Sequence, residues 1–137
     1  MAGVSRSVIP CVGAIVTDEQ GRLLMIQRGH DPGAGLWSIP GGRIEPGESD
    51  EQALVREMLE ETNLQVKVGR LVGSVQREGP GGTVIDIRDY AATAVGGTLR
   101  AGDDAADARW VTAAEMARLE VTEGLVEALA GWGVLGG

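Results

Sequence analysis

The chain has 137 residues, 43% of them hydrophobic, with one cysteine and a formal net charge of −8. That composition suits one domain, residues 1–137, with a core of its own, and a single cysteine excludes an intrachain disulfide. No apolar run is long enough to span a membrane, no basic-then-apolar segment opens the chain, and the negative balance argues against a surface for long nucleic acids.

Val8 to Thr17 is apolar and β-branched and predicts a strand, with Cys11 as a buried small residue within it. Asp18-Glu19-Gln20-Gly21 predicts a turn, and Arg22 to Gln27 a second strand. Gly29 to Gly35 is a loop rich in Gly, Pro and Asp that carries His30, the only histidine. Pro40-Gly41-Gly42 and Pro46-Gly47 make tight turns feeding a helix over Ser49–Thr62. Ser49 stands three residues before Gln52, the spacing of a capping box. Leu54, Val55, Met58 and Leu59 are expected to pack on a core, and Asn63 stands where a left-handed residue ends the helix. Leu64 to Val75 and Thr83 to Val95 predict long strands around a Gly79-Pro80-Gly81-Gly82 turn. A short strand near Arg109–Val111 leads to helical turns from Thr112 and Thr122. Strands with helices to cover them argue for a layered α/β fold.

The helix carries the chemistry. Glu57, Glu60 and Glu61 fall at i, i+3 and i+4, which places three carboxylates on one face. Such charges repel, each pair by on the order of 3 kcal/mol at 5–6 Å and an effective dielectric near 20, before screening. A solvated acidic face is the plain alternative, but the cap, the apolar arc and the glycine-rich loop before the helix agree with a built site. Oxygen-only ligands suit Mg²⁺ or Mn²⁺, which in turn suit phosphates. Splitting a phosphoanhydride requires charge neutralised on the bridging and leaving oxygens and a water made nucleophilic near neutral pH, and divalent ions supply both. Gly42 lets backbone approach an ion or phosphate without obstruction.

The run Gly42-x5-Glu48-x7-Arg56-Glu57-Met58-x-Glu60-Glu61-x-Asn63-Leu64 resembles the Nudix box, with Asn63 as its single departure, where that family has Gly. Weaker likeness extends to Leu36-Trp37-Ser38-Ile39-Pro40 and to Ala108-Arg109-Trp110-Val111. The resemblance implies an α/β/α sandwich with a central mixed sheet. It also implies a Mg²⁺-dependent pyrophosphohydrolase acting on a nucleoside diphosphate linked to another group, ADP-ribose-like or a damaged nucleoside triphosphate. Gly42, Glu57, Glu60 and Glu61 would hold the ion, with Mn²⁺ as a substitute, and Glu57 or Glu61 would polarise the attacking water. Arg56 either contacts phosphate or clamps Glu48 or Glu57, and Glu48 orients. A carboxylate from outside the box is expected among Asp86, Asp89, Asp103, Asp104 and Asp107. Asp86 and Asp89 have opposite strand parity, so at most one faces the site.

For the rest of the substrate, Arg28 follows the second strand within reach of a phosphate or base edge. Trp37, beside the metal loop, is the first choice for base stacking over Trp110, Tyr90 and Trp132. The expected partner is a small nucleotide in the cytoplasm, with a homodimer left open. Negative charge does not exclude nucleotides, because bound ions reverse the local sign. A nucleotide-sensing module without turnover would show eroded glutamates, and all three are present. A diphosphate isomerase would need further Cys and Glu groups, and Cys11 alone supports it poorly.

Overall fold

The computed structural model describes residues 6–31, 33–102 and 105–134. Its strands are β1 (Val8–Val16), β2 (Leu23–Arg28), β3 (Trp37–Ser38), β4 (Gly41–Arg43), β5 (Leu64–Glu78), β6 (Val84–Gly97) and β7 (Ala105–Val111). The helices are α1 (Asp50–Thr62), α2 (Ala113–Met116) and α3 (Leu125–Gly131). A mixed sheet runs in the order β4-β1-β6-β5, with β1 parallel to β6 and the other neighbours antiparallel. A second, antiparallel sheet β3-β2-β7 stands beside it. Among the described residues no helix is long and apolar enough to cross a membrane.

The continuous apolar run of β1 reflects burial on both faces. Val12, Ala14 and Val16 join Leu24, Leu54, Met58 and Leu64 in the core beneath α1. Ile15, of opposite parity, joins Met25, Trp37, Val111, Met116, Leu125 and Leu129 in a second core reached by the small sheet, α2 and α3. The mixed sheet therefore has an α1 face and an opposite face.

Ser49 caps α1 through both bonds of the capping box with Gln52. Asp50, in the first turn, accepts from Arg88 Nη2 at 3.0 Å and from the Tyr90 hydroxyl, so β6 pins the helix start. The buried residues are Ala53, Leu54, Met58 and Thr62. Val55 and Leu59, expected in the core, are 40% and 51% exposed. The helix touches the sheet along the i, i+4 row 54–58–62, and residues one position further round are carried about 100° away.

Both long strands outrun their apolar segments: β5 continues to Glu78, where Arg77 and Glu78 pair with Ile85 and Val84, and β6 to Gly97, where Gly96 and Gly97 pair with Gln65 and Leu64. β7 likewise begins at Ala105, paired to Arg28 of β2. The two- and three-residue strands β3 and β4 are too short to show a period in the sequence. Helical structure after Thr122 starts only at Leu125, because Gly124 is left-handed at φ 82°. Cys11 is half-buried rather than buried, and burial pushes its thiol pKa up.

Asn63 is the one non-glycine with positive φ among the described residues, at φ 63° and ψ 17°, and its Nδ2 donates to the Thr98 carbonyl at 2.8 Å. Asn63→Gly should keep the backbone and lose only that bond, for a destabilisation near about 1 kcal/mol. Asn63→Val should fall a further about 1–2 kcal/mol, because a β-branched residue resists this conformation. Urea melts of the two variants check this, and equal midpoints would contradict it.

Candidate active site

One guanidinium organises the acidic helix and the loop before it. Arg56 Nε donates to Glu48 Oε2 at 2.7 Å and Nη2 to Glu48 Oε1 at 2.8 Å, a bidentate fork. Nη1 donates to Glu57 Oε1 at 2.9 Å and Glu60 Oε2 at 3.3 Å, and Nη2 also reaches the Arg43 carbonyl at 3.0 Å. All five N–H groups of an arginine are thereby engaged within the protein. Arg56 thus occupies the clamping place anticipated for it, with no donor turned outward to phosphate. The hydrogen bonds from its guanidinium hold the Glu48 carboxyl down at about 2, helped by the Glu45 backbone N–H at 2.8 Å and by the positive charge beside it. Glu48 in turn raises the pKa of Arg56.

Glu57 and Glu61 lean on the glycines of β4. A Cβ on Gly42 would stand 2.5 Å from the Glu57 carboxyl carbon, and one on Gly41 would stand 2.1 Å from the Val12 carbonyl oxygen, so neither position has room for a side chain. Gly41 N–H donates to Glu61 Oε1 at 2.7 Å. The Glu60 side chain is 58% exposed. It lines, with Glu61, Asn63 and Arg100, a cavity of about 720 Å³. Among the described residues no three acidic, His or Cys side chains converge at metal-holding spacing. Here Arg56 and Gly41 engage the carboxylates instead. The donor chemistry nevertheless fits a hard divalent cation: three carboxylates on adjacent turns, with one nestled in a cradle that a Cβ would fill.

The other anticipated residues fall elsewhere. Trp37 is 4% exposed in the second core, with Arg109 5.0 Å above its ring, so it is a core residue and not an open stacking platform. Its alternation with Ser38 in β3 turns it inward. Arg28 ends β2 and lies along Gly33, 3.2 Å from where a Cβ would stand, in the loop that also holds exposed His30. Asp107 accepts from Ala108 N–H and Arg109, while Asp103 and Asp104 lie outside the described residues.

Asp89 was not separable from Asp86 by sequence alone. Arg88 and Tyr90 reach Asp50 of α1, so Asp89, of opposite parity, rises on the other face. It is 3% exposed, and burial raises its pKa to about 6, against a smaller downward pull from Arg77. Residues 84–88 of that strand are all half-buried, so alternation offers no sign of which face takes Asp89 in.

A family model described as the NUDIX domain matches residues 8–130. The chain is 40% identical over 97 residues to an ADP-ribose pyrophosphatase of Methanocaldococcus jannaschii, a match taking in 69% of this chain and 57% of that protein. It is 41% identical over 95 residues to a CTP pyrophosphohydrolase of Escherichia coli, taking in 69% of each. The structure superposes on the solution structure of the E. coli ORF135 protein with a TM-score of 0.78 and 34% identity, over 92% of this chain and 91% of that one.

The Asp89 carboxyl titrates higher folded than unfolded, so its ionisation opposes folding. The favourable state is complete below the unfolded value near about 4 and is lost as pH rises through about 6. The stability of Asp89→Asn relative to the parent should therefore rise by up to about 3 kcal/mol between about pH 4 and pH 7. Denaturant melts across that range check the sign, and a pH-independent difference would contradict it.

Proposed function

The chain belongs to the Nudix family, and from that membership we propose that it is a divalent-metal-dependent pyrophosphohydrolase of nucleoside diphosphates linked to another group. The observation that carries the reading is the arrangement of Glu57, Glu60 and Glu61 on one face of α1, beside glycines that admit no side chain. The named relatives, which act on ADP-ribose and CTP by their descriptions, support the substrate class.

In this reading the carboxylates of Glu57, Glu60 and Glu61, with the Gly42 backbone, hold Mg²⁺ or Mn²⁺. When bound, the ion neutralises charge on the bridging and leaving phosphate oxygens and makes water nucleophilic. Arg56 is a positioning residue: its fork fixes Glu48, and its remaining donors set the orientations of Glu57 and Glu60. Glu61 stands against the Gly41 N–H, where it is placed to hold the ion or to take a proton from the attacking water. A cytoplasmic setting belongs to the proposal, consistent with a nucleotide substrate and a lone thiol.

Glu61→Gln should lose at least about a hundredfold in turnover, since a charged ligand is removed while the amide oxygen still accepts from Gly41. Its metal-free melting temperature should stay level or rise, because one repulsive charge has gone. The check is release of nucleoside monophosphate, phosphate or pyrophosphate from ADP-ribose, dinucleoside polyphosphates and normal or oxidised nucleoside triphosphates. Near-parental turnover by the variant would overturn the role given to Glu61. In the same panel EDTA should abolish activity, with Mg²⁺ or Mn²⁺ restoring it. Full turnover in EDTA would overturn the metal requirement, and binding without turnover by the parent would favour a sensing module.

A further inference from the structure

The acidic helix and a nucleotide substrate together carry far more negative than positive charge. Glu57, Glu60 and Glu61 contribute three carboxylates, a divalent ion offsets only two of them, and each phosphate of the substrate adds more. Arg56 cannot serve the phosphates, because its donors are engaged by Glu48, Glu57, Glu60 and the Arg43 carbonyl. A further cation on the substrate side would complete the site.

Arg100, in the loop between β6 and β7, stands where such a cation would act. Backbone bonds stitch this loop to the last turn of α1. Arg100 N–H donates to the Thr62 carbonyl at 2.9 Å, and Gly102 N–H donates to the Glu61 carbonyl at 2.9 Å. From the helix end, Asn63 Nδ2 donates to the Thr98 carbonyl at 2.8 Å. A Cβ on Gly102 would stand 1.7 Å from the Glu60 carbonyl oxygen, so only glycine lets the loop lie this close. The result is that Arg100, Glu60 and Glu61 line one cavity of about 720 Å³, a volume in the range of small-ligand sites. Arg100 is the only cation among the described residues lining it. Glu60 shares the cavity with Arg100 but makes its ion pair with Arg56. The last turn of α1 has no basic residue, so Arg100 also faces the negative end of the helix. That contribution would concern stability alone, and experiment can separate the two.

We propose that Arg100 is a substrate-binding residue, its guanidinium forking onto a phosphate of a nucleoside diphosphate seated between it and the glutamate face of α1. The inference rests on the pyrophosphohydrolase reading for the identity of the ligand. A guanidinium matches two phosphate oxygens at once, so it fixes the orientation of the group as well as its charge. The exposed side chain can meet a ligand arriving from solvent, while its backbone is held by the helix.

The probe is α,β-methylene-ADP, whose bridging carbon resists cleavage, and its binding in Mg²⁺ is measured by calorimetry. Arg100→Ala should weaken binding by about tenfold or more. Arg100→Lys, which keeps the charge without the fork, should weaken it by a smaller factor and carries the comparison if the alanine variant does not fold. The loop is held by backbone bonds, so the melting temperature in EDTA should change by no more than about 2 °C. Mn²⁺ affinity without nucleotide, read by electron paramagnetic resonance, should be no weaker than the parent's, since a neighbouring cation has gone. Unchanged affinity for the analogue in a folded Arg100→Ala protein would overturn the proposal. So would a loss matched by an equal loss of Mn²⁺ affinity, or a parent that does not bind the analogue. If the parent turns over nucleotides and Arg100→Ala keeps its kcat/KM, Arg100 falls and the hydrolase reading stands. A parent that binds the analogue through Arg100 yet turns over no nucleotide would leave Arg100 standing and sink the hydrolase reading instead.

Discussion

The structure of the acidic helix depends on Arg56. Glu57, Glu60 and Glu61 repel one another, and Glu48 adds a fourth carboxylate from the preceding loop. One guanidinium with every donor engaged offsets that repulsion, ties loop 43–48 to α1, and orients two of the three helix carboxylates. A lysine in its place would offer a point charge without the planar fork, so the loop and helix would lose their common brace. The short β4, with no room for side chains at Gly41 and Gly42, completes the arrangement from the sheet side. Cap, brace and glycine contact all act on the same stretch of chain, and their agreement sets the geometry more firmly than any one of them.

The two faces of the mixed sheet divide the labour. The α1 face carries the helix and its anchor, with Arg88 and Tyr90 of β6 converging on Asp50. The opposite face, with the small sheet and α3 above it, carries Asp89 and Arg77. Alternation along one strand therefore sends neighbouring residues to different places: Arg88 and Tyr90 position the helix that bears the glutamates, and Asp89 is buried on the opposite face.

How much of this was legible in the sequence follows from the range of the interactions involved. Local ones were readable: the Ser49–Gln52 capping box, the left-handed Asn63 and the common face of the glutamates all lie within a few residues and obey helical geometry. The mixed sheet was implied by the family resemblance. The edges of both sheets, by contrast, rest on β3 and β4, strands of two and three residues that carry no period. Trp37 was misplaced because sequence cannot tell an aromatic ring beside a loop from one that turns under Arg109 into the core. The outward turn of Val55 and Leu59 depends on where the helix axis lies over the sheet, which no helical pattern contains. Parity separated Asp89 from Asp86 without saying which is buried, because its burial depends on glycines 76 and 16 residues away, at Gly13 and Gly73.

The central claim is that the carboxylates of α1 form the ion site. Electron paramagnetic resonance of Mn²⁺ titrated with protein tests it without any substrate. The account predicts that the parent removes the free-ion signal while the combined Glu57→Gln, Glu60→Gln, Glu61→Gln protein, still folded, leaves it at full height. Equal loss of signal with both proteins would place the ion elsewhere and contradict the account.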